Sequence, residues 1–236
     1  MQTVAKRIKN GSEHRDFLHY ILRANDEKGM NPEEIHVNAF SLSIAGSEST
    51  ATALSGIFFL ILTHPDVYTQ VVREIRTAHG TAEDVTLTST NGLGYTDAVI
   101  NEALRIYPPV AITLPRKVPP GGAMILGQHI EAGTTVGVNH YATYHHPLNF
   151  DKPEQFRPER WLNELKTEAF QPFSYGPRNC LGKNVARAEI RLLLAKLLLR
   201  FDWKLEKNME AWMEQDCQGF WKKRALWCSA VALPEE

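Results

Sequence analysis

The stretch Phe173-Ser174-Tyr175-Gly176-Pro177-Arg178-Asn179-Cys180-Leu181-Gly182 decides the fold, because it is a turn-rich loop with one cysteine at the entrance to an apolar helical segment. Gly176 and Gly182 suit a positive φ or the close approach of a flat ligand, and the ring of Pro177 stiffens the loop between them. Cys180 stands where the free N–H groups of a helix N-terminus favour a thiolate. Arg178 offers a fixed cation whose donors suit a carboxylate.

A rigid loop with one thiolate and one arginine suits an iron porphyrin, which needs an axial ligand and partners for its propionates. The alternative is that Cys180 is a buried, inert cysteine. If the cysteine stood alone, without the residues around it, this alternative would be preferred. This window, however, resembles the haem-ligand signature of the cytochrome P450 superfamily at Phe173, Gly176, Arg178, Cys180 and Gly182. The resemblance implies that Cys180 binds the haem iron, that Arg178 meets a propionate and that the other three residues complete the cofactor-binding loop.

Composition sets broad limits on the function. The chain has 236 residues, a formal net charge of −1, 43% apolar residues and 22% charged residues. These values indicate a globular protein with one sizeable core or two small ones, and they give no reason to expect a nucleic-acid partner. Three cysteines do not make a disulfide framework, which favours a reducing compartment. No signal peptide is visible, and the longest apolar run, residues 57–62, is too short for a membrane span, so we expect none in this chain.

A long helix is predicted before the cysteine loop. Asn31 can cap it, Pro32 can take its first position, and Glu34 can complete a capping box. The next strong breaker is His64-Pro65, so the helix should have about thirty residues and a length of about 45 Å. Its apolar second half is expected to be buried.

The middle of this helix is unusual, because Ala45-Gly46-Ser47-Glu48-Ser49-Thr50 contains residues that weaken helices. One explanation is a close helix crossing that requires small residues. The other comes from the family resemblance, which implies that Ala45 and Gly46 pass over the oxygen-binding face of haem, and that Glu48, Ser49 and Thr50 deliver protons there. Ser49 is a departure, since the family usually has Thr, and serine lacks the methyl group that stiffens χ1.

A second resemblance lies at Glu102-Ala103-Leu104-Arg105, directly before Tyr107-Pro108-Pro109. Glu-x-x-Arg alone is weak evidence, because it recurs by chance at Glu154 and Arg157. The resemblance implies a buried structural triad of Glu102, Arg105 and Arg160. Arg160 belongs to the segment 158–161, Pro-Glu-Arg-Trp, where the family more often has Phe than Trp.

Other segments receive simpler predictions. Helical spacing is also present at residues 1–23, 66–79 and 96–107, and short strands are expected at 110–113, 123–126, 128–130 and 134–138, with β hairpins at 201–233. The resemblance implies that Arg116 reaches a propionate, although a solvated loop arginine is equally compatible with the sequence.

After Gly182, one apolar helix face is predicted, formed by Val185, Ala188, Leu192, Ala195 and Leu199. Lys183, Arg187 and Arg191 form a basic stripe on the same helix. Such a stripe is usually a solvated face, but a cationic patch could also dock an acidic reductase.

Together these resemblances imply a mainly α fold with small β hairpins. The chain would be the C-terminal half of the cytochrome P450 fold, a single haem-thiolate domain fragment over residues 1–236. It would bind haem b and act as a monooxygenase on a small apolar organic substrate, in the manner of fungal secondary-metabolite enzymes. Electrons would come from NADPH through a separate reductase. Full-length relatives are usually anchored on the cytoplasmic face of the endoplasmic reticulum. The alternatives are a truncated, non-catalytic remnant and a haem-thiolate isomerase or peroxygenase.

Overall fold

The computed structural model describes residues 16–23, 29–162 and 168–234. Over these residues the protein is mainly helical with small antiparallel sheets, which confirms the predicted fold class at that level. The part of the first predicted helix before residue 16 lies outside the described residues. Residues 1–49 and 50–236 form two compact units.

Six α-helices organise the described chain. In chain order they are α1 (Phe17–Arg23), α2 (Pro32–Thr63), α3 (Pro65–Ala78), α4 (Gly94–Ile106), α5 (His140–Tyr144) and α6 (Lys183–Arg200). Short 3-10 turns lie at Ser89–Gly92, Pro158–Trp161 and Gly176–Arg178.

Local signals set both ends of α2, which has 32 residues. At its start, the Asn31 side chain accepts from the backbone N–H of Glu34 at 2.9 Å, and the Glu34 carboxylate accepts from the backbone N–H of Asn31 at 2.8 Å. This capping box satisfies two donors that the helix itself leaves unpaired. At its end, Pro65 begins the next helix.

Helix α2 is long and apolar enough to cross a membrane by length and composition alone. Its 18-residue window has a mean hydropathy of 1.3, and half of that window is buried inside the protein. A core helix of a soluble protein passes the same test, so the expected lack of a membrane span stays a prediction.

The core of the larger unit is built from four helices. The second half of α2 supplies the buried run from Ile57 to Ile61, and α3, α4 and α6 pack their apolar faces against the same cluster. Its fully buried members include Val71, Ile75, Val99, Ile100, Leu194 and Leu198. Glu74 of α3 also caps α4, because its carboxylate accepts from the backbone N–H groups of Tyr95 and Thr96 at 2.8 and 2.7 Å.

Four two-stranded antiparallel sheets lie within the described residues. The strands are β1 (Arg116–Lys117), β2 (Ala123–Ile125), β3 (Gln128–Ile130), β4 (Thr135–Val136), β5 (Phe201–Leu205), β6 (Cys217–Gln218), β7 (Phe220–Trp221) and β8 (Cys228–Ala232). The pairs are β1 with β4, β2 with β3, β5 with β8, and β6 with β7. In the tail, β6 and β7 therefore form a tight hairpin between β5 and its more distant partner β8.

The strand predicted at residues 110–113 is wrong. The carbonyl groups of Val110 and Ala111 instead bond to the start of α5, through His140 Nδ1 and the backbone N–H of Tyr141. Only Thr113 makes a single bridge, to Asn139, and the first strand begins later, at Arg116.

The predicted apolar face of α6 is also partly wrong. Ile190, Leu194, Ala195 and Leu198 are the buried positions, whereas Val185 is 60% exposed. Of the predicted face, only Ala195 is fully buried. Packing against the cluster formed by α2, α3 and α4 determines which side of α6 is buried. The first turn of α6 extends beyond that cluster.

A close contact between α2 and the residue after α4 gives a testable expectation. A Cβ atom on Gly56 would lie 2.5 Å from Cδ1 of Tyr107, whose side chain is buried. Overpacking should therefore outweigh the helix propensity of alanine, and Gly56→Ala should lower the free energy of unfolding by about 1–3 kcal/mol. Urea denaturation measures the change.

Gly46 of the same helix is the matched control, since a Cβ atom there meets nothing within 4 Å. Gly46→Ala should raise stability by up to about 1 kcal/mol. A similar gain at Gly56 would show that Tyr107 yields and that the contact is not tight.

Candidate functional site

The loop that carries Cys180 is held by its own backbone. The N–H of Cys180 donates to the carbonyl of Phe173 at 2.8 Å, and the N–H of Asn179 donates to Gly176 at 3.0 Å. Gly176 has φ +80°, in the left-handed region that favours glycine. These bonds fold residues 173–180 back on themselves, so that Cys180 stands three residues before the start of α6.

The Cys180 side chain is free and exposed, which excludes the inert buried cysteine considered from the sequence. Apolar side chains beside it in the chain are exposed too: Tyr175 is 82% and Leu181 is 78% exposed. A Cβ atom added to Gly176 or Gly182 would meet nothing within 4 Å. An exposed thiol among exposed apolar side chains and uncovered glycines leaves room for a flat apolar ligand.

Two arginines expected near the propionates have no acidic partner among the described residues. Arg178 is exposed and makes no hydrogen bond or ion pair within the described part of the chain. Arg116 begins β1, is exposed, and donates to the carbonyl of Pro115 at 2.9 Å. One free thiol and two arginines that pair with no carboxylate of the described residues are chemical groups that fit a haem, because its iron needs a ligand such as sulfur and its propionates need positive charge.

Glu102 and Arg105 of α4 form a completely buried ion pair, with both side chains at 0% exposure. The Glu102 carboxylate accepts from Arg105 Nη2 at 2.8 Å and Nε at 3.0 Å, and from Arg160 Nε at 3.0 Å. It also accepts from the backbone N–H of Arg157 at 2.9 Å and from Trp161 Nε1 at 2.8 Å. The structure thus brings the three residues of the predicted triad together, around one carboxylate.

Arg105 also connects α4 with the region before the cysteine loop. Its Nη1 donates to the carbonyl of Tyr144 at 2.9 Å, and the Tyr144 hydroxyl accepts the backbone N–H of Gln171 at 3.1 Å. Gln171 in turn accepts the N–H of Ser174 at 2.9 Å. Burial raises the pKa of Tyr144, which keeps its hydroxyl neutral. A continuous series of contacts therefore joins the buried ion pair to the loop that presents Cys180.

Sequence reasoning missed several members of this network. Trp161 was noted only as a replacement for Phe, although its indole N–H donates to Glu102 and its ring lies 4.5 Å from that of Phe170. Tyr144 was not singled out at all. The indole donor of Trp161 was a usable signal, because a buried tryptophan usually needs an acceptor.

The segment predicted for proton delivery lies within α2. Ala45 and Gly46 are exposed, Glu48 and Ser49 are half-buried, and Thr50 is 7% exposed. The Ser49 hydroxyl donates to the carbonyl of Ala45 at 2.5 Å, which explains how a helix interior tolerates it. Residues 45–49 belong to the smaller compact unit and Thr50 to the larger one. The proton-delivery role of this segment stays a prediction.

The basic stripe on α6 is not a free cationic surface. Arg191 pairs with Asp97 of α4 at 2.5 and 2.7 Å, and Arg187 donates to Asn101 of α4 at 3.3 Å. Only Lys183 of the three is exposed. Neither of the two interpretations of the stripe, a solvated face or one docking patch, describes all three residues, because Arg187 and Arg191 face the neighbouring helix.

Comparison with known proteins gives consistent matches. The family model described as Cytochrome P450 matches residues 1–226. A protein named cytochrome P450 monooxygenase aclL, from Aspergillus oryzae, is 46% identical over an alignment of 217 positions, which covers 89% of this chain and 44% of that protein. A trichothecene C-4 hydroxylase from Trichoderma arundinaceum is 43% identical over an alignment of 242 positions, which covers 96% of this chain and 48% of that protein. The chain spans about half the length of the curated relatives it matches.

The buried ion pair gives a sharp stability test. Arg105→Ala should lower the free energy of unfolding by about 3–5 kcal/mol, because it leaves the Glu102 carboxylate buried without its main partner. Urea denaturation followed by circular dichroism measures the loss.

Arg157→Ala is the matched control. The Arg157 side chain is 42% exposed in its pair with Asp151, and its backbone N–H still reaches Glu102 in the variant. An exposed pair contributes about 0–1 kcal/mol, so this change should be small. Equal losses in the two variants would contradict the central role of the buried pair.

Proposed function

Because the chain belongs to the cytochrome P450 family, we propose that it carries the haem-binding part of a monooxygenase that inserts one oxygen atom of O2 into a small apolar organic substrate. The observation that supports this most directly is Cys180, a free and exposed thiol in a loop fixed by the Cys180–Phe173 backbone bond. Haem bound through a thiolate supplies the oxygen chemistry, because the thiolate favours O–O cleavage.

The residues of this chain would divide the work around the cofactor. The Cys180 sulfur is the iron ligand, and the backbone of the loop from Phe173 to Gly182 fixes its position. Arg178 and Arg116 bind the propionates, which matches their lack of acidic partners in the described chain. Glu102, Arg105 and Arg160 hold the loop in place and take no part in the chemistry.

Proton delivery falls to α2 in this proposal. Glu48 takes up a proton from solvent, and the hydroxyls of Ser49 and Thr50 pass it toward the oxygen-binding side of the cofactor. Ala45 and Gly46 keep that side uncrowded, because neither has a side chain larger than a methyl group. Electrons come from NADPH through a separate reductase. The names of two fungal relatives, a monooxygenase and a trichothecene hydroxylase, support oxygen insertion as the reaction.

Haem binding by the purified chain tests the proposal. After reconstitution with haem, the reduced carbon monoxide complex should give the red-shifted Soret band of a thiolate ligand, and Cys180→Ala should abolish it. Cys228→Ala is the matched control, because that half-buried thiol lies in β8, away from the loop, and its replacement should leave the band unchanged.

Failure to bind haem would contradict the proposal and favour a non-catalytic chain. If haem binds, turnover with NADPH and reductase separates a monooxygenase from a peroxygenase, which needs only peroxide, and from an isomerase, which needs neither.

The proton-delivery residues can be tested in the haem-loaded chain with a reductase. Glu48→Gln should keep NADPH oxidation within about twofold but lower product formation by about tenfold or more, because poorly timed proton transfer releases reduced oxygen instead. The ratio of hydrogen peroxide to product measures the effect. Glu33→Gln, at the exposed start of the same helix, is the control. An unchanged ratio in Glu48→Gln would assign proton delivery elsewhere.

A further inference from the structure

Arg187 has an unusual environment beside the cysteine loop. Its guanidinium carbon lies 5.4 Å from the centroid of the Phe173 ring, within range of a cation–π contact. Its Nη2 donates to Asn101 Oδ1 at 3.3 Å. Asn101 precedes Glu102 on α4, so the helix that carries the buried ion pair also holds Arg187.

The positive charge of Arg187 is poorly compensated. Its Nε is buried and meets no acceptor in the described part of the chain, and no carboxylate there lies within ion-pair distance of it. Burial lowers the pKa of the Arg187 guanidinium, opposed by the more distant Asp97 and reinforced by Arg191. Arginine nevertheless stays charged in proteins. The fold therefore keeps a half-buried cation whose Nε is shielded from water and which has no paired carboxylate among the described residues.

Arg191, one turn further along α6, shows the ordinary arrangement. Its Nε and Nη2 donate to the two carboxylate oxygens of Asp97, at 2.5 and 2.7 Å. Its Nη1 donates to Asn91 Oδ1 at 3.1 Å. Its charge is neutralised by a bidentate pair. The two arginines thus share a helix and a chemical type, and differ in whether an anion compensates them.

Phe173 connects Arg187 to the candidate iron ligand. The Arg187 guanidinium lies over the ring of Phe173. The backbone carbonyl of Phe173 accepts a hydrogen bond from the N–H of Cys180 at 2.8 Å. By fixing Phe173, Arg187 therefore also fixes the carbonyl group that accepts the Cys180 N–H and closes the loop. An uncompensated cation near a redox centre also favours the state with one more electron, because that state is more negative.

We propose that Arg187 is a positioning residue for Cys180: it fixes the loop through Phe173, and its uncompensated charge raises the reduction potential of the iron that Cys180 would bind. The second part rests on the proposed haem function, whereas the first concerns the chain without cofactor.

The test uses three variants of the full chain, Arg187→Gln, Arg187→Lys and Arg191→Gln. Hydrogen exchange of the Cys180 amide, measured without haem, reports the fixing of the loop. We expect it to become at least about tenfold faster in Arg187→Gln and in Arg187→Lys, because glutamine loses the cation and lysine loses the planar group that lies over the ring. It should stay within about twofold of the parent in Arg191→Gln, once rates are compared at equal global stability.

The reduction potential of the haem-loaded chain reports the charge. In Arg187→Gln the ratio of ferrous to ferric iron at a fixed ambient potential should fall by about threefold to tenfold, where tenfold corresponds to about 59 mV for one electron. Arg187→Lys keeps the charge and should restore most of the ratio. Arg191→Gln should change the ferrous-to-ferric ratio less than Arg187→Gln does. The variant leaves the Asp97 carboxylate without its partner, and water then screens the charge of that carboxylate.

The outcomes separate the parts of the proposal. Equal exchange in Arg187→Gln and Arg191→Gln would overturn the positioning role, and equal potentials would overturn the electrostatic role. If the parent chain binds no haem, the electrostatic role fails together with the proposed function, and hydrogen exchange alone decides the positioning role. If haem binds with a thiolate spectrum and Arg187→Gln matches the parent in both measurements, this inference fails and the proposed function stands.

Discussion

The buried carboxylate of Glu102 is the constraint on which the rest of the structure depends. It is removed from water, and it is tolerated because N–H groups of Arg105, Arg160, Trp161 and the Arg157 backbone all donate to it. Burying an incomplete version of this cluster would cost about 3–5 kcal/mol, so each donor to Glu102 contributes to the stability of the whole cluster. They come from α4 and from the irregular segment around residues 157–161, and the cluster therefore fixes a part of the chain that has little regular structure of its own.

This constraint reaches the candidate site through the backbone. Arg105 binds the carbonyl of Tyr144, Tyr144 binds the N–H of Gln171, and Gln171 receives the N–H of Ser174 at the start of the cysteine loop. Asn101, next to Glu102 in sequence, bonds Arg187 behind the same loop. The loop that carries Cys180 thus rests on α4, the helix that carries the buried ion pair. If Cys180 binds a metal as proposed, such support would orient the sulfur, because groups around a ligand fix its position and tune the metal.

The sequence predicts features that short-range rules govern. The Asn31–Glu34 capping box, the stop at Pro65 and the positive φ of Gly176 all follow from residues that act on their immediate neighbours. Features that depend on distant partners are not predictable in this way. Residues 110–113 have strand-like composition, yet the carbonyls of Val110 and Ala111 bond to the start of α5, thirty residues further along. Periodicity shows that α6 has an apolar face, but it does not tell which apolar positions contact the core. Val185 matches the predicted spacing and is nevertheless exposed.

The basic stripe on α6 shows why charge patterns in a sequence need tertiary partners for their interpretation. Lys183, Arg187 and Arg191 recur every four residues and are equivalent by that criterion. In the fold, Lys183 is exposed to solvent and Arg191 is neutralised by Asp97, 94 residues away. Arg187 lies over an aromatic ring, and no carboxylate of the described residues pairs with it. The electrostatic effect of a cation depends on what compensates it and on the surrounding dielectric. By that argument Arg187, which the sequence did not distinguish from its neighbours, has the strongest influence of the three on the loop that carries Cys180.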